Sequence, residues 1–501
     1  MSHNESGGFP IRSLSLTKSI KAVYALLVAV VLLALFPWAS YNDPDTFWHV
    51  ELGRYMLEHR TVLHHAIHTF YGDKLPYIPH EFGFQIVAGA LYNALGWPGL
   101  YLLTAACFFL LILGLLQLAK VSRRELGFKE DHPLILPFVM LISVWIYYNY
   151  FKGRPQMVSS WMIVWYFVYL RRFQLMPSKR SAAVMILLSL GIANFHAGVW
   201  LVIIVFTGMA FLEAWIDGRL NKNRIIVFAA VTLIGLANPG GYKSLLYILT
   251  VSQNSYNMLI NEWQPISFGK WDTSAMTLLL LFFAVTLPFS LFRKPFRFFV
   301  MLGVLYLGVS NFKQNLFMWL FIPYFAGAFF EAFPWMRKVD LRLSPGVIKG
   351  ALAAGLLANC VVNFIHPPKV DVHGYPVDEM NYVLSQQKGS ERPRVLAPYG
   401  SSGYVMYRGG DVLCDGRQDP FTTKASLGPY GWTAFERSMY GFSDILPDIA
   451  AYDKPDYIIV RSSAATRLFE GWRKAFGEPV YRGQYGSVFK YTGSTGAHTG
   501  S

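Results

Sequence analysis

The chain has 501 residues, of which 53% are hydrophobic, 16% aromatic and 15% charged, which is the profile of a polytopic membrane protein and not of a soluble one. Its formal net charge of +14 is spread over short loops between apolar runs, so it argues for membrane topology and against a nucleic-acid partner. Three cysteines, Cys107, Cys360 and Cys414, are too few and too scattered for a disulfide framework or a zinc site.

Residues 1–21 carry Arg12, Lys18 and Lys21 and are expected to stay in the cytoplasm. The first apolar run, about 22–40, has no small-residue cleavage site and reads as a retained anchor, not a signal peptide. It delivers a long loop, 41–98, to the outer face. That loop holds an amphipathic helix after Pro44 and a second apolar stretch, 82–97, which is taken to lie in the interface without crossing. Ten further runs follow, at 99–119, 132–150, 157–171, 181–196, 197–215, 224–238, 274–292, 297–312, 314–335 and 346–363. The loops this places in the cytoplasm hold most of the basic residues, including Arg123, Arg124, Arg171, Arg172, Arg219, Lys222, Arg293, Lys294, Arg297, Arg337 and Lys338. The short outer connections hold few, among them Lys152, Arg154, Lys243, Lys270 and Lys313. The bias predicts about 11 spans with the N-terminus inside and residues 366–491 outside. Residues 492–501 are a Gly/Ser/Thr tail, expected to be disordered.

The same assignment gathers the polar residues on one face. Asn42-Asp43-Pro44-Asp45-Thr46-Phe47-Trp48-His49 follows the first run directly. Pro44 suits the first position of a helix, with Asp43 as its cap; Asp45 and His49, four apart, then share a face. His80, Glu81, Lys152, Arg154, His196, Glu262 and Lys313 fall at the same membrane edge. Ionisable groups beside apolar segments are costly and usually have a function or a partner. Lys152 and Arg154 in Lys-Gly-Arg-Pro-Gln, and Lys313 in Asn-Phe-Lys-Gln-Asn, are cations where positive charge is disfavoured and read as a phosphate clamp. The alternative for each is an interface residue that snorkels. Asn238-Pro-Gly-Gly reads as a span terminator. Asp43, Asp45, His80 and Glu81 are hard or borderline ligands suited to magnesium or manganese, with Asp43 and Glu81 the foremost pair; a divalent ion stays an open alternative, and no spacing matches a fixed zinc motif. No nucleotide-cradling glycine loop is present.

Residues 366–491 show an α/β rhythm. Helices are predicted over 377–387 and 464–476, and strands over 394–397, 412–414, 457–460, 480–482 and 487–491. Asp415-Gly416-Arg417 follows the second strand, either as a functional loop or as an ion pair fixing a turn. The predicted fold class is therefore an α-helical polytopic membrane protein with a small extracytoplasmic α/β domain.

The acidic Asp43-Pro-Asp45 in the first outer loop, amphipathic helices in that loop, many spans and an outer C-terminal domain together resemble the GT-C superfamily of integral-membrane glycosyltransferases. Asp43-Pro-Asp45-Thr-Phe-Trp-His49 with Gly53, Pro79-His80-Glu81-Phe82, Arg154-Pro-Gln156, Asn194-Phe-His196, Asn238-Pro-Gly and Asp415-Gly416-Arg417 resemble a bacterial group within it. The resemblance implies transfer of a sugar from a polyprenyl-phosphate donor to a glycan, lipid or protein acceptor on the outer side of a bacterial inner membrane. It implies Asp45 or Asp43 as general base with His49 beside it, and Arg154, Lys152, His196 and Lys313 on the donor phosphate. His80, Glu81, Glu262, Asp415 and Arg417 would then serve the acceptor or support the site. The chain lacks the Trp-Trp-Asp run of the superfamily's oligosaccharyltransferases, and Gly428-Pro-Tyr-Gly-Trp432 is no substitute. Two alternatives stand beside this reading: a glycan ligase or polymerase using a polyprenyl-diphosphate donor, and a non-catalytic lipid or glycan transporter.

Overall fold

The computed structural model describes residues 43–129, 132–265, 279, 281–286, 295–331 and 345–493. The N-terminal tail, the first apolar run, most of the run at 274–292, Lys270, Arg293, Lys294, Arg337, Lys338 and residues 494–501 lie outside them.

The first described element is helix α1, Pro44–His59, capped by Asp43 and with Pro44 at its first position. α2, Phe82–Leu95, packs against α1 along a line of glycines. Gly53 and Gly89 touch backbone to backbone, and a Cβ on either would meet main-chain atoms of the facing helix, which leaves no room for a side chain there.

A bundle of mostly longer helices follows: α3 Trp97–Glu125, α4 Ile135–Tyr150, α5 Pro155–Leu175, α6 Lys179–Phe195, α7 Trp200–Ile216, α8 Lys222–Leu233, α9 Tyr242–Ser252, α10 Pro295–Ser310, α11 Leu316–Glu331 and α12 Pro345–Ile365. Their shared core includes Leu111, Leu115, Phe167, Phe206, Phe321 and Phe325. Among the described residues, Trp97–Glu125 and Ala197–Ile216 are long and apolar enough to cross a bilayer. Arg171 and Arg297, read from sequence as loop cations, lie on helices and are buried: Arg171 pairs with Glu125 and, at 2.6 Å, with Glu213, and Arg297 reaches Glu125 at 3.1 Å. A guanidinium at that depth is tolerable only with its charge paired and its donors satisfied.

The C-terminal unit is a five-stranded mixed sheet in the order β2-β1-β3-β5-β4, formed by β1 Arg394–Leu396, β2 Asp411–Val412, β3 Tyr457–Arg461, β4 Tyr481–Arg482 and β5 Gly486–Lys490. β1 runs parallel to β2 and β3, whereas β5 is antiparallel to β3 and β4. Helices α13 Val377–Ser385, α14 Tyr399–Tyr407, α15 Ala434–Tyr440, α16 Leu446–Asp453 and α17 Thr466–Phe476 surround it. The second predicted strand ends at Val412 and not at Cys414, because the chain bends at Leu413 and leaves the sheet.

Two contacts join this unit to the first loop. Thr69 bridges Val412 at the free edge of β2, with Phe70 N–H donating to Val412 O at 3.0 Å. α14 lies on α1, where Gly403 meets the main chain at Pro44. Phe47, Trp48, Leu52 and Met56 of α1 share one apolar core with Val395, Tyr404 and Val405. The start of α1 is thus held between bundle and sheet.

Candidate active site

Arg154 organises the mouth of the bundle. It precedes Pro155, the first residue of α5, and faces the N-terminus of α1. Its Nε donates to both carboxylate oxygens of Asp43 at 2.8 and 2.9 Å, and its Nη1 to both of Glu262 at 2.9 Å. Asp45 Oδ2 lies 3.2 Å from the same Nη1. One guanidinium therefore holds three carboxylates together. The loop before it is fixed by Thr46, whose hydroxyl donates to Lys152 O at 2.8 Å. Gly153 sits at φ 68° with Thr46 packed where a Cβ would go, so glycine satisfies both the backbone and the space.

Asp43 and Asp45 differ in their duties. Asp43 caps α1, accepting from Asp45 N–H at 3.0 Å, and its carboxylate is committed to Arg154. Asp45 lines an open cavity, where Trp48 Nε1 donates to its Oδ1 at 3.1 Å. Gly416 rests against this Asp45 and Trp48 pair, and a side chain there would collide with both. Burial raises the Asp45 carboxyl to about 6 against the pull of Arg154, with Asp43 and Glu262 adding to the rise.

Behind Asp45 lies a second group. His49 Nε2 and His80 Nε2 are 3.9 and 3.7 Å from Glu81 Oε2. Burial lifts the Glu81 carboxyl to about 7, opposed by Lys313 and Arg154, while burial and Arg154 press His49 well below its usual value. His80 Nδ1 donates to Ile78 O at 2.9 Å, and its ring stacks on Tyr247 with centroids 3.7 Å apart. Tyr247 in turn bonds Asp419 of the C-terminal unit. His196 Nδ1 is 2.8 Å from Ser159 Oγ. Lys313 Nζ stands over the Trp263 ring at 5.2 Å.

These residues surround one cavity of about 850 Å³, lined by Asp45, His49, Glu81, His196, Glu262 and Lys313 at its polar end. It continues between α5, α7, α10 and α11 as an apolar groove past Ile163, Val202, Val205, Phe206, Val304 and Leu320. A polar chamber opening into an interhelical groove accommodates an amphiphile with a charged head and a hydrocarbon tail.

Several sequence-selected residues occupy other positions. The Lys152 side chain is exposed and does not line the cavity; its carbonyl, not its ammonium, makes the site contact. Asp415 and Arg417 pair with each other, both side chains fully buried; Arg417 also borders the cavity, and its Nη2 donates to Ile67 O at 2.9 Å, tying the first loop down. Asn194 donates to Leu190 O and Ala237 O, and Asn238 folds the turn after α8 by bonding Gly235 O and Gly241 O. Asp43 and Glu81, the pair read as metal ligands, make separate contacts, Asp43 with Arg154 and Glu81 with His49 and His80. Among the described residues, no group of three or more His, Cys, Asp or Glu side chains is placed to hold a metal ion. Arg154 supplies the cation that Asp43, Asp45 and Glu262 face in this structure. Tyr247, Asp419 and Trp263 belong to the site and carried no signal of their own in sequence.

No family model matches the chain, and no curated protein matches it. Solved structures do. The oligosaccharyltransferase of Archaeoglobus fulgidus, tethered to an acceptor peptide containing an NVT sequon, aligns over 96% of this chain and 74% of its own at 13% identity, with a TM-score of 0.58. ArnT from Cupriavidus metallidurans in the apo state aligns over 95% of this chain and 99% of its own at 12% identity and a TM-score of 0.53. The same enzyme bound to undecaprenyl phosphate aligns at a TM-score of 0.50. Both are GT-C membrane glycosyltransferases, and the agreement runs through helical bundle and C-terminal unit alike: this chain has the GT-C fold.

Proposed function

We propose that this protein is an integral-membrane glycosyltransferase that takes a sugar from a polyprenyl-phosphate carrier. The observation that carries the reading is the single cavity that joins Asp45 and Lys313 to an apolar interhelical groove. A polyprenyl tail fits the groove and its phosphate the polar chamber. Asp45 accepts the acceptor hydroxyl proton as the new C–O bond forms at the anomeric carbon. The bond from that carbon to the phosphate oxygen breaks on the opposite face, with inversion. The lipid phosphate leaves with its charge held by Lys313 and His196, since donors aimed at developing charge lower the barrier. Arg154 holds the base in place and no step is assigned to a metal.

The topology proposed with this is about 11 spans in the bacterial inner membrane, N-terminus cytoplasmic and residues 366–491 extracytoplasmic. The comparisons support a lipid-linked donor in one further way: the ArnT structure holds undecaprenyl phosphate. A ligase using a diphosphate donor is the second reading, favoured by the likeness to the oligosaccharyltransferase. Presenting the protein with matched monophosphate- and diphosphate-linked sugars separates them: release of lipid monophosphate from the first alone supports transfer as described, and turnover of the diphosphate donor alone replaces it with the ligase.

Two results are expected at this level. Lys313→Gln should lower transfer by about 10²–10³-fold, the usual cost of one donor aimed at developing charge, with lipid-phosphate affinity falling in parallel. Because the base must be ionised and burial raises Asp45 to about 6, transfer should rise with pH through that region and level off above it. A pH–rate profile that is flat from pH 5 to 8 would remove Asp45 from the role.

A further inference from the structure

The loop 428–432 of the C-terminal unit presents aromatic rings to solvent at some conformational cost. Tyr430 has φ 61° and ψ 12°, left-handed values unfavourable for a tyrosine, and Gly431 follows at φ 70°. Gly428 N–H closes the loop onto Trp432 O at 2.9 Å. Buried Arg437, paired with Asp453 at 2.9 Å, anchors the loop by donating to Trp432 O at 2.7 Å. The strained ring is not used in any core: Tyr430 is 57% exposed. Strain held in place by a rigid support, with the strained side chain left in water, marks function more often than packing.

The rings form a ladder. Tyr430 and Trp432 have centroids 5.8 Å apart, and Trp432 and Tyr440 6.0 Å apart, with Tyr440 44% exposed. Tyr440 is the residue after Met439, and Met439 lines the cavity. The ladder's polar neighbour is acidic: the Tyr430 hydroxyl bonds the carboxylate of exposed Asp448.

Two exposed rings joined through a half-buried one make an apolar surface strip of the kind that marks an interaction site. A protein strand or an anionic bilayer is poorly matched to open rings bordered by a carboxylate. A pyranose chain is well matched, since the C–H faces of the sugar meet the electron-rich ring faces and its hydroxyls find an acceptor in Asp448. Building on the glycosyltransferase reading above, we infer that Tyr430, Trp432 and Tyr440 form a binding platform for a neutral saccharide chain, the acceptor.

The test uses the full chain in lipid nanodiscs with neutral hexasaccharides of glucose, mannose and N-acetylglucosamine, followed by saturation-transfer NMR. At least one should bind. Trp432→Ala and Tyr430→Ala should each weaken it about tenfold, as removal of a central aromatic contact does, whereas Trp432→Phe should retain most of the affinity. Asp45→Asn should bind the saccharide as the wild type does while losing transfer, so the platform and the chemistry fail independently. Tyr430→Ala decides the case if Trp432→Ala lowers the melting temperature. The proposal is overturned if no hexasaccharide binds, or if Tyr430→Ala, folded as the wild type, binds as tightly. It is also overturned if brominated lipid quenches the emission that Trp432→Phe removes, which would put the ladder in the bilayer.

Discussion

Asp45→Asn should reduce sugar transfer by about 10²–10⁴-fold, the range a positioned general base contributes, with the melting temperature and the binding of polyprenyl phosphate little changed. The amide keeps the size of the carboxylate and the contact with Trp48 Nε1, but has no site for the acceptor proton. Asp43→Asn should behave differently. Asp43 serves as helix cap and as a bidentate partner of Arg154, so its loss should lower stability together with activity. Single-turnover assays on donor-loaded protein, set beside thermal melts, separate the two. Full single-turnover activity in Asp45→Asn would assign the base elsewhere.

Arg154→Gln should have the second large effect, and on more than one property. Asp43 is 7% exposed and Arg154 12%, and breaking such a pair from one side leaves a buried charge uncompensated, at about 3–5 kcal/mol. The lower end applies here, because Glu262 at 36% exposure remains partly screened by water. Arg154→Lys should rescue little, since one ammonium does not reproduce two bidentate contacts. The pH profile gives the sharper readout. Arg154 lowers Asp45, so without it the base ionises at higher pH, and the rising limb of the activity curve should move upward from about 6. Adding Asp43→Asn to Arg154→Gln should recover part of the stability. A limb that stays in place in Arg154→Gln would mean that the guanidinium does not act on the base.

How much of this was legible in sequence depended on distance along the chain. The cap at Asp43, the proline start of α1 and the shared face of Asp45 and His49 are local properties of eight residues, and both side chains do line the cavity. The basic-loop bias itself misread two residues: Arg171 and Arg297 are buried ion-pair residues and not loop charges. What stayed hidden was partnership. Arg154 read as a free phosphate clamp because a sequence displays a charge without its counter-ions; two of those, Asp43 and Glu262, lie more than a hundred positions away on either side. Tyr247 and Asp419 meet across 172 positions with no motif to pair them. Helix α14 escaped notice because Tyr399-Gly-Ser-Ser-Gly is poor helix sequence; the helix forms where Gly403 admits close contact with α1.

The most direct measurement is release of free lipid phosphate from polyprenyl-phosphate sugars by the purified protein in lipid, with and without chelator, beside its Asp45→Asn variant. The expected result is release from at least one donor, unchanged by chelator and lost in Asp45→Asn. Release that persists in the variant, or that chelator abolishes, would contradict the assignment of an aspartate base held by Arg154 without a metal; no release from any donor would contradict the glycosyltransferase reading itself.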